Sequence, residues 1–487
     1  MGKFNVISLF IFLIGCGLQS SNKPSNKGLE QVNSIPSELL AQDLEMLQFW
    51  IHEAHGDPYR FTTKKKIDEL FDQHIREIRN SGSMTEYEFL GHIFPIMAEL
   101  RDGHSQAFPS DLDNIDGKVF LPFRIRFVDR EPFVLKNYSD KPLSSGMRIS
   151  KIDGEDADMF FNRLIPLVHR DGNIESIRYR RLENPMYLAR MMKALGLSKE
   201  KHKIEVNDAG ITKEYIVYPF DQMTYDRVST VRESSTDKTI KLTFKKYGGS
   251  EIPIVTIRSF NPHYFNGSYE SFTGQIDEVM GRIDQSKADK IILDLRNNSG
   301  GEDSYALYLL RYLMDKKFKY HGEVTFQKDD YKFLPDGKHW DIDPKCFRPN
   351  QKGTFDATDH LWPDGTSALG SFVPFENRFQ KELVVLVNAF TFSAATEVAA
   401  ILHHAKRAKI LGEETGGSYI GNISGYIPTL RLPNSRIQIN LALISIKRSF
   451  FGEQFTDRGV LPDILVEPAI DDILMKNDVT MTEALAL

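Results

Sequence analysis

Strand-like and helix-like runs take turns through the second half of this chain. "IPIVTIRSF", "KIILDLRNNSGG", "KELVVLVNAF" and "AKILGEETGG" are short, branched and apolar. Between them lie "YESFTGQIDEVMGRIDQS", "SYALYLLRYLMD" and "ATEVAAILHH", whose apolar residues recur at helical spacing. Strands alternating with helices are the pattern of an α/β core. The expected fold class is therefore α/β, over residues 235–480. A stretch from 327 to 375, rich in Gly, Pro, Asp and aromatic residues, interrupts the alternation. Insertions of that length inside a domain usually carry function.

The alternation does not reach the N-terminal part. "SELLAQDLEMLQFWIHEAH", "TKKKIDELFDQHIREIRNSG" and "TEYEFLGHIFPIMAELRDG" each predict a helix. Residues 36–110 thus read as a helical domain, with Ser37 as the N-cap of its first helix. From 115 to 222 the texture is strand-like. "KVFLPFRIRFVDREPFVLKNY" predicts a hairpin turning at Asp129–Pro132, and "KHKIEVNDAGITKEYIVYPF" a second turning at Asp208–Gly210. "SGMRISKIDGEDA" between them resembles the centre of a PDZ domain, a module that adds an extended peptide to a sheet edge.

Ahead of residue 36, "MGKFNVISLFIFLIGCG" places Lys3 before an apolar run from Val6 to Ile14. That run is shorter than the roughly 20 residues needed to span a bilayer and matches the apolar region of a secretory signal. Leu13-Ile14-Gly15-Cys16 resembles the bacterial lipoprotein processing box. This implies removal of residues 1–15, lipidation of Cys16, and a polar tether over 16–35. Acyl chains on Cys16 would hold a membrane at about 0.8 kcal/mol per buried CH₂. The expected location is the bacterial cell envelope. Cys346, the other cysteine, then has no intrachain partner and no disulfide framework is expected. A net charge of −6 gives no electrostatic footprint for nucleic acid.

The stretch "NAFTFSAATEVAA" carries the chemistry. Ser393 sits between an apolar strand and a helix, where serine is most often a cap. The same place offers free N–H groups and the positive end of a helix dipole, which suit a nucleophile generating an oxyanion. A serine attacks poorly without a base. None is local: no lysine lies three residues on, and the Gly-x-Ser-x-Gly elbow is absent. In "ELRDGHSQAF", His104 follows a turn glycine directly after a helix and is the first choice. His403 and His404, on the serine's own helix, are expected to point away from it. Gly300 and Gly301 close "LRNNSGG" and let backbone N–H groups approach a ligand with no Cβ in the way. No His, Asp or Glu group shows metal-ligand spacing, so no metal or cofactor is expected.

Together, "KIILDLRNNSGG", "VVLVNAFTFSAATE", "AKILGEETGG" and "RGVLPDILVEP" resemble, in order and spacing, the tail-specific or C-terminal processing peptidase family. "HEAHGDPYRF" and "LRDGHS" are similar to its tricorn-core and interphotoreceptor-retinoid-binding-protein branch. The resemblance implies a ClpP/crotonase-like catalytic domain and a serine peptidase acting on polypeptides, with their C-terminal ends as a natural point of entry. It makes Ser393 the nucleophile. The processing branch has a lysine base where this chain has Glu414 in "GEET". A carboxylate with an unperturbed pKa of about 4.3 does not replace an amine at about 10.4. The tricorn-like branch implies His104 as base instead. Its third member is an acid where this chain has Thr456; the neighbouring Asp457 is taken as the orienter, with Glu453 as the alternative. Ala394 N–H and a glycine N–H from Gly300–Gly301 would hold the oxyanion. The other reading of the scaffold is a non-catalytic binding protein for apolar ligands or peptides, a role found in that branch.

Overall fold

The structure, a computed structural model, describes residues 34–208, 210–229, 239–328, 331, 333, 347–349, 355–357, 369–452 and 456–487. The leader with Cys16, nearly all of the tether, Cys346, Glu453 and most of the 327–375 insertion lie outside the described residues. No helix among the described residues is long and apolar enough to cross a membrane.

Three helices open the described chain: α1 (Ser37–Ala54), α2 (Lys64–Arg79) and α3 (Glu86–Leu100). Ser37 is not the cap of α1. Ile35–Pro36 pairs with Ser83–Met84, and the Ser37 N–H donates to the Gly82 carbonyl at 2.9 Å, so Pro36 caps and Ser37 is already helical. Thr63 caps α2 through its side chain, and Thr85 with Glu88 forms a reciprocal capping box on α3. α3 stops at Arg101, which turns left-handed at φ 53°.

Next comes an antiparallel sheet of β1 (Phe123–Val128), β2 (Glu131–Asn137), β3 (Arg148–Ile152), β4 (His202–Asp208) and β5 (Ile211–Val217), in that spatial order. The β1–β2 turn falls at Asp129–Arg130, with φ of 51° and 67°, the double positive φ of a type I′ hairpin. Three helices, Ala157–Asn162, Ser176–Leu182 and Pro185–Ala194, lie between β3 and β4. The first was legible: "SSGMRISKIDGEDADMFFNRLI" reads as a short strand, a Gly turn and a helix.

The α/β part is a six-stranded sheet: β6 (Ile240–Tyr247), β7 (Ser250–Ile257), β8 (Lys290–Asp294), β9 (Glu382–Val387), β10 (Lys409–Gly412) and β11 (Ile464–Leu465), in spatial order. β6 and β7 form a hairpin through Gly248–Gly249; every pairing from β7 to β11 is parallel. Its helices are α4 (Tyr269–Ser286), α5 (Asp303–Leu313) and α6 (Ala394–His404). They cover one face, where Ile276, Leu310 and Val398 pack with Ile291, Leu293 and Val385. On the other face Ile292, Val384 and Leu386 pack with Met481 and Ala484. Burial on both faces explains why these strands read as continuous apolar runs rather than alternating ones.

The N-terminal helices are not a separate body. Their core residues Leu44, Phe71 and Ile93 pack in one cluster with Leu430, Ile439, Ile444 and Ile446 from the C-terminal part of the chain. Gln106–Phe108 then pairs antiparallel with Gln438–Asn440. This pairing carries the segment just after α3 onto the α/β part.

Candidate active site

β7, β8, β9 and β10 all point their carboxyl ends the same way, and the loops that follow them meet there. In open α/β sheets such carboxyl edges are where ligands bind. The loop after β8 runs Leu295–Gly301. Buried Asn298 shapes it: its Nδ2 donates to the Ile257 carbonyl (3.0 Å) and its Oδ1 accepts the Gly300 N–H (2.9 Å). The Asn298 carbonyl accepts the Phe392 N–H at 3.0 Å, which ties this loop to the residue before Ser393. Gly300 has φ 98°, and a Cβ on it would lie 2.7 Å from Ser393 Cβ and 2.9 Å from the Ala394 nitrogen. On the opposite flank, a Cβ on Gly417 would lie 3.1 Å from the Ser393 nitrogen. Two glycines thus let two loops close on the serine.

Ser393 is buried and precedes α6, but it does not behave as a cap. Its side chain makes no capping bond, and its backbone sits at φ 50°, ψ −131°. A capping serine adopts β-region angles. A non-glycine residue in this region costs on the order of 1–3 kcal/mol and persists only where its surroundings impose it. They do so here. The Thr391 hydroxyl donates to the Leu295 carbonyl (3.0 Å) and accepts the Asn388 N–H (3.0 Å). The Thr391 carbonyl accepts from the Thr396 hydroxyl (2.8 Å) and from the Gly416 N–H (3.0 Å). The sharp turn places Ser393 at the start of α6, directly before Ala394.

His104 reaches this place from outside the sheet. Ser105 Oγ accepts the Ala442 N–H at 3.0 Å, and the strand pairing of Gln106–Phe108 follows. The His104 ring is buried and lies 4.7 Å, centroid to centroid, from the ring of Phe392, the residue preceding Ser393. Neither ring nitrogen of His104 has a hydrogen-bond partner among the described residues. Its Nδ1 is 3.8 Å from Asp102 Oδ1, within ion-pair range but too long for a hydrogen bond.

Two buried carboxylates hold the histidine segment. Asp102 Oδ1 accepts the His104 N–H (2.9 Å), and Asp102 Oδ2 lies 3.0 Å from His55 Nε2. Asp171 Oδ1 accepts the Gly103 N–H (2.7 Å) and its Oδ2 accepts the Ser418 N–H (3.1 Å), so one side chain spans the His104 loop and the loop after β10. Burial disfavours charge on His104, but Asp102 and Asp171 outweigh it and raise the imidazole above its ordinary value. Burial likewise opposes charge on Asp102, and the two histidines beside it outweigh that, holding the carboxyl well below its usual range.

The expected orienter is elsewhere. Asp457 takes the Asn173 side-chain amide on its Oδ2 and the Asn173 N–H on its carbonyl, and faces the Gly172–Asn173 turn rather than His104. A Cβ on Gly172 would lie 2.2 Å from the Asp457 carbonyl oxygen, so that contact is backbone to backbone. The carboxylates that face His104 are Asp102 and Asp171. Asp102 stands in sequence inside "LRDGHS", whereas Asp171, in a second Arg-Asp-Gly at 170–172, is brought to His104 by tertiary contact. The glycine pair is also narrowed, since the Gly300 N–H is taken by Asn298. The Gly301 N–H remains; Gly301 bridges Phe260 through its neighbours' groups, Gly300 O and Glu302 N, and its own N–H faces away from that strand.

Residues 251–466, which include Ser393, both glycines and Glu414, match the family model described as Peptidase family S41. The chain contains a Peptidase family S41 domain. Over 256 residues the chain is 24% identical to the tail-specific protease of Haemophilus influenzae, a stretch covering 53% of this chain and 28% of that protein. Mature CPAF complexed with lactacystin is similar in fold: TM-score 0.62 over 92% of this chain and 97% of that one, at 15% identity. A CPAF mutant gives 0.65 over 92% and 96%, at 14% identity. His104, Asp102 and Asp171 all precede the matched S41 residues.

Within the S41 domain, Glu414 is committed to structure. Arg458 grips it through Nε (2.8 Å) and Nη2 (2.5 Å), and Gly459 N–H donates to it (2.9 Å). His404 stacks on Phe450 at 4.1 Å and His403 meets the Tyr419 hydroxyl at 3.4 Å, so both turn away from Ser393 as expected. One turn along α6, the buried Glu397 pairs with the buried Arg448 at 2.9 Å. Burial works against the Glu397 charge, and Arg448 outweighs it, to about 2. Nearby, burial and the Glu397 charge push Asp303 well up, while burial brings His321 down to about 4. Asp303 Oδ2 and His321 Nε2 lie 3.2 Å apart beside the Glu397–Arg448 pair.

Proposed function

We propose that the chain is a serine endopeptidase that cleaves polypeptides through an acyl-enzyme. Ser393 Oγ attacks the scissile carbonyl while His104 takes its proton; the tetrahedral oxygen is held by Ala394 N–H and Gly301 N–H. The imidazolium then protonates the leaving amine, and water activated by the same imidazole releases the acyl group. Asp102, with Asp171 behind the loop, orients the ring and stabilises its charge. The observation that carries this reading is the conformation of Ser393: a strained, non-capping serine at a helix start, with an imidazole packed against its neighbour. A cap serine has no need of that backbone.

The substrates we infer are exported or unstructured chains. The 115–222 module, with its exposed edge strand β5, supports a PDZ-like role in capturing an extended end. Cys16 at the end of the apolar leader supports a lipid anchor in the cell envelope. The direct test is digestion of a denatured protein such as reduced casein. Wild type is expected to cleave it and Ser393→Ala to leave it intact while still folded. Equal cleavage by both would remove Ser393 from the chemistry, and none by either at any pH between about 6 and 9 would leave the binding-protein reading in its place.

A further inference from the structure

On the helices far from the serine in sequence, three donor atoms converge. His74 and Glu77 lie one turn apart on α2, and His92 faces them from α3. His74 Nδ1 is 3.1 Å from His92 Nδ1. Glu77 Oε2 is 3.2 Å from the first nitrogen and 3.5 Å from the second. The two rings stand at 79° to each other. Ligands at about 2.0–2.1 Å from a tetrahedral zinc ion are separated by about 3.3–3.4 Å. The three measured edges bracket that value. A cation equidistant from the three atoms would sit just out of their plane, with a fourth position left over.

The geometry points to a zinc-binding site formed by His74, Glu77 and His92. Two imidazoles and a carboxylate are a common zinc ligand set, and nitrogen donors favour zinc over magnesium or calcium. The supporting contact is also present: Gln73 Nε2 donates to Glu77 Oε1 at 2.9 Å, which leaves Oε2 to face the imidazoles. Metal ligands held by such outer partners are a recurrent feature of protein sites. His74 is nearly buried, whereas the side chains of His92 and Glu77 are 21% and 45% exposed, so an ion has a route in from solvent. Sequence spacing hid the site, because its third ligand comes from another helix.

The test uses the full chain, stripped with a chelator and titrated with Zn²⁺ by calorimetry. Cobalt(II) provides an optical readout through the intense visible absorption of four-coordinate sites. Wild type is expected to bind one equivalent. His92→Ala and Glu77→Gln, both at the exposed side, are each expected to weaken binding by more than about tenfold and to abolish the four-coordinate cobalt spectrum. Gln73→Ala should weaken binding less. No uptake by wild type overturns the assignment. So does uptake that both variants retain, which would move the ion to other residues such as Asp102, His104 and Asp171.

Discussion

At the scale of residues, the deciding feature is the backbone of Ser393. Its positive φ should store strain that glycine would relieve. Ser393→Gly is therefore expected to raise stability by about 1 kcal/mol in urea unfolding while abolishing activity, whereas Ser393→Ala abolishes activity without that gain. Equal stability for the two variants would mean that the turn is unstrained. His104 gives a second prediction. Asp102 and Asp171 raise its affinity for a proton, and a general base works only when neutral. The acid limb of kcat/KM should thus lie above the ordinary histidine value of about 6.5. Asp102→Asn removes a raising charge, so the limb should move to lower pH as the rate falls. Ser393 and His104 stood out in the sequence because one ends a strand-to-helix turn and the other follows Asp-Gly, and the structure packs the His104 ring against Phe392, the residue before Ser393. The acids were not: Asp102 stood in view inside "LRDGHS", but nothing local says which way a carboxylate faces, and Asp171 is brought in by tertiary contact alone.

At the scale of elements, the alternation of strands and helices predicted the α/β class because each crossover leaves a helical period; that the pairings from β7 to β11 are parallel comes from the structure. The hairpin at Asp129–Arg130 was equally readable, since its turn carries residues that suit a tight turn; the one through Gly248–Gly249 was not read from the sequence. Helices at Ser176–Leu182 and Pro185–Ala194 were missed, as short polar runs such as "SIRYRRL" carry little periodicity. α6 bears Ser393, the proposed nucleophile, at its start and a buried ion pair one turn later. Glu397→Gln leaves Arg448 charged and unpaired in the interior, and should cost about 3–5 kcal/mol by denaturant unfolding. The double variant Glu397→Gln/Arg448→Met should lose less than the sum of the singles. Strict additivity would show that the pair is not coupled.

At the scale of the molecule, the proposed site is composite. The S41 domain supplies Ser393, Ala394 and the glycine loop; the chain ahead of it supplies His104, Asp102 and Asp171. Shared packing of α1–α3 with Leu430–Ile446, and the strand Gln106–Phe108, hold the two parts together. Gly56 lies in this seam, where a Cβ would meet the Ile444 carbonyl carbon at 2.6 Å. Gly56→Val is expected to lower turnover at least about tenfold, or ~1.4 kcal/mol in the barrier, with circular dichroism unchanged. Full activity would mean that the seam does not position the base. The division into domains by texture overlooked this, because a change from helical to strand-like sequence marks a boundary in pattern and not in packing. The most direct measurement of the central claim is the rate of inactivation by a fluorophosphonate, with the adduct located by peptide mass. Wild type should be labelled on Ser393, with the rate falling by orders of magnitude in His104→Ala and the adduct absent in Ser393→Ala. Labelling of another residue, or an unchanged rate without the imidazole, would contradict it.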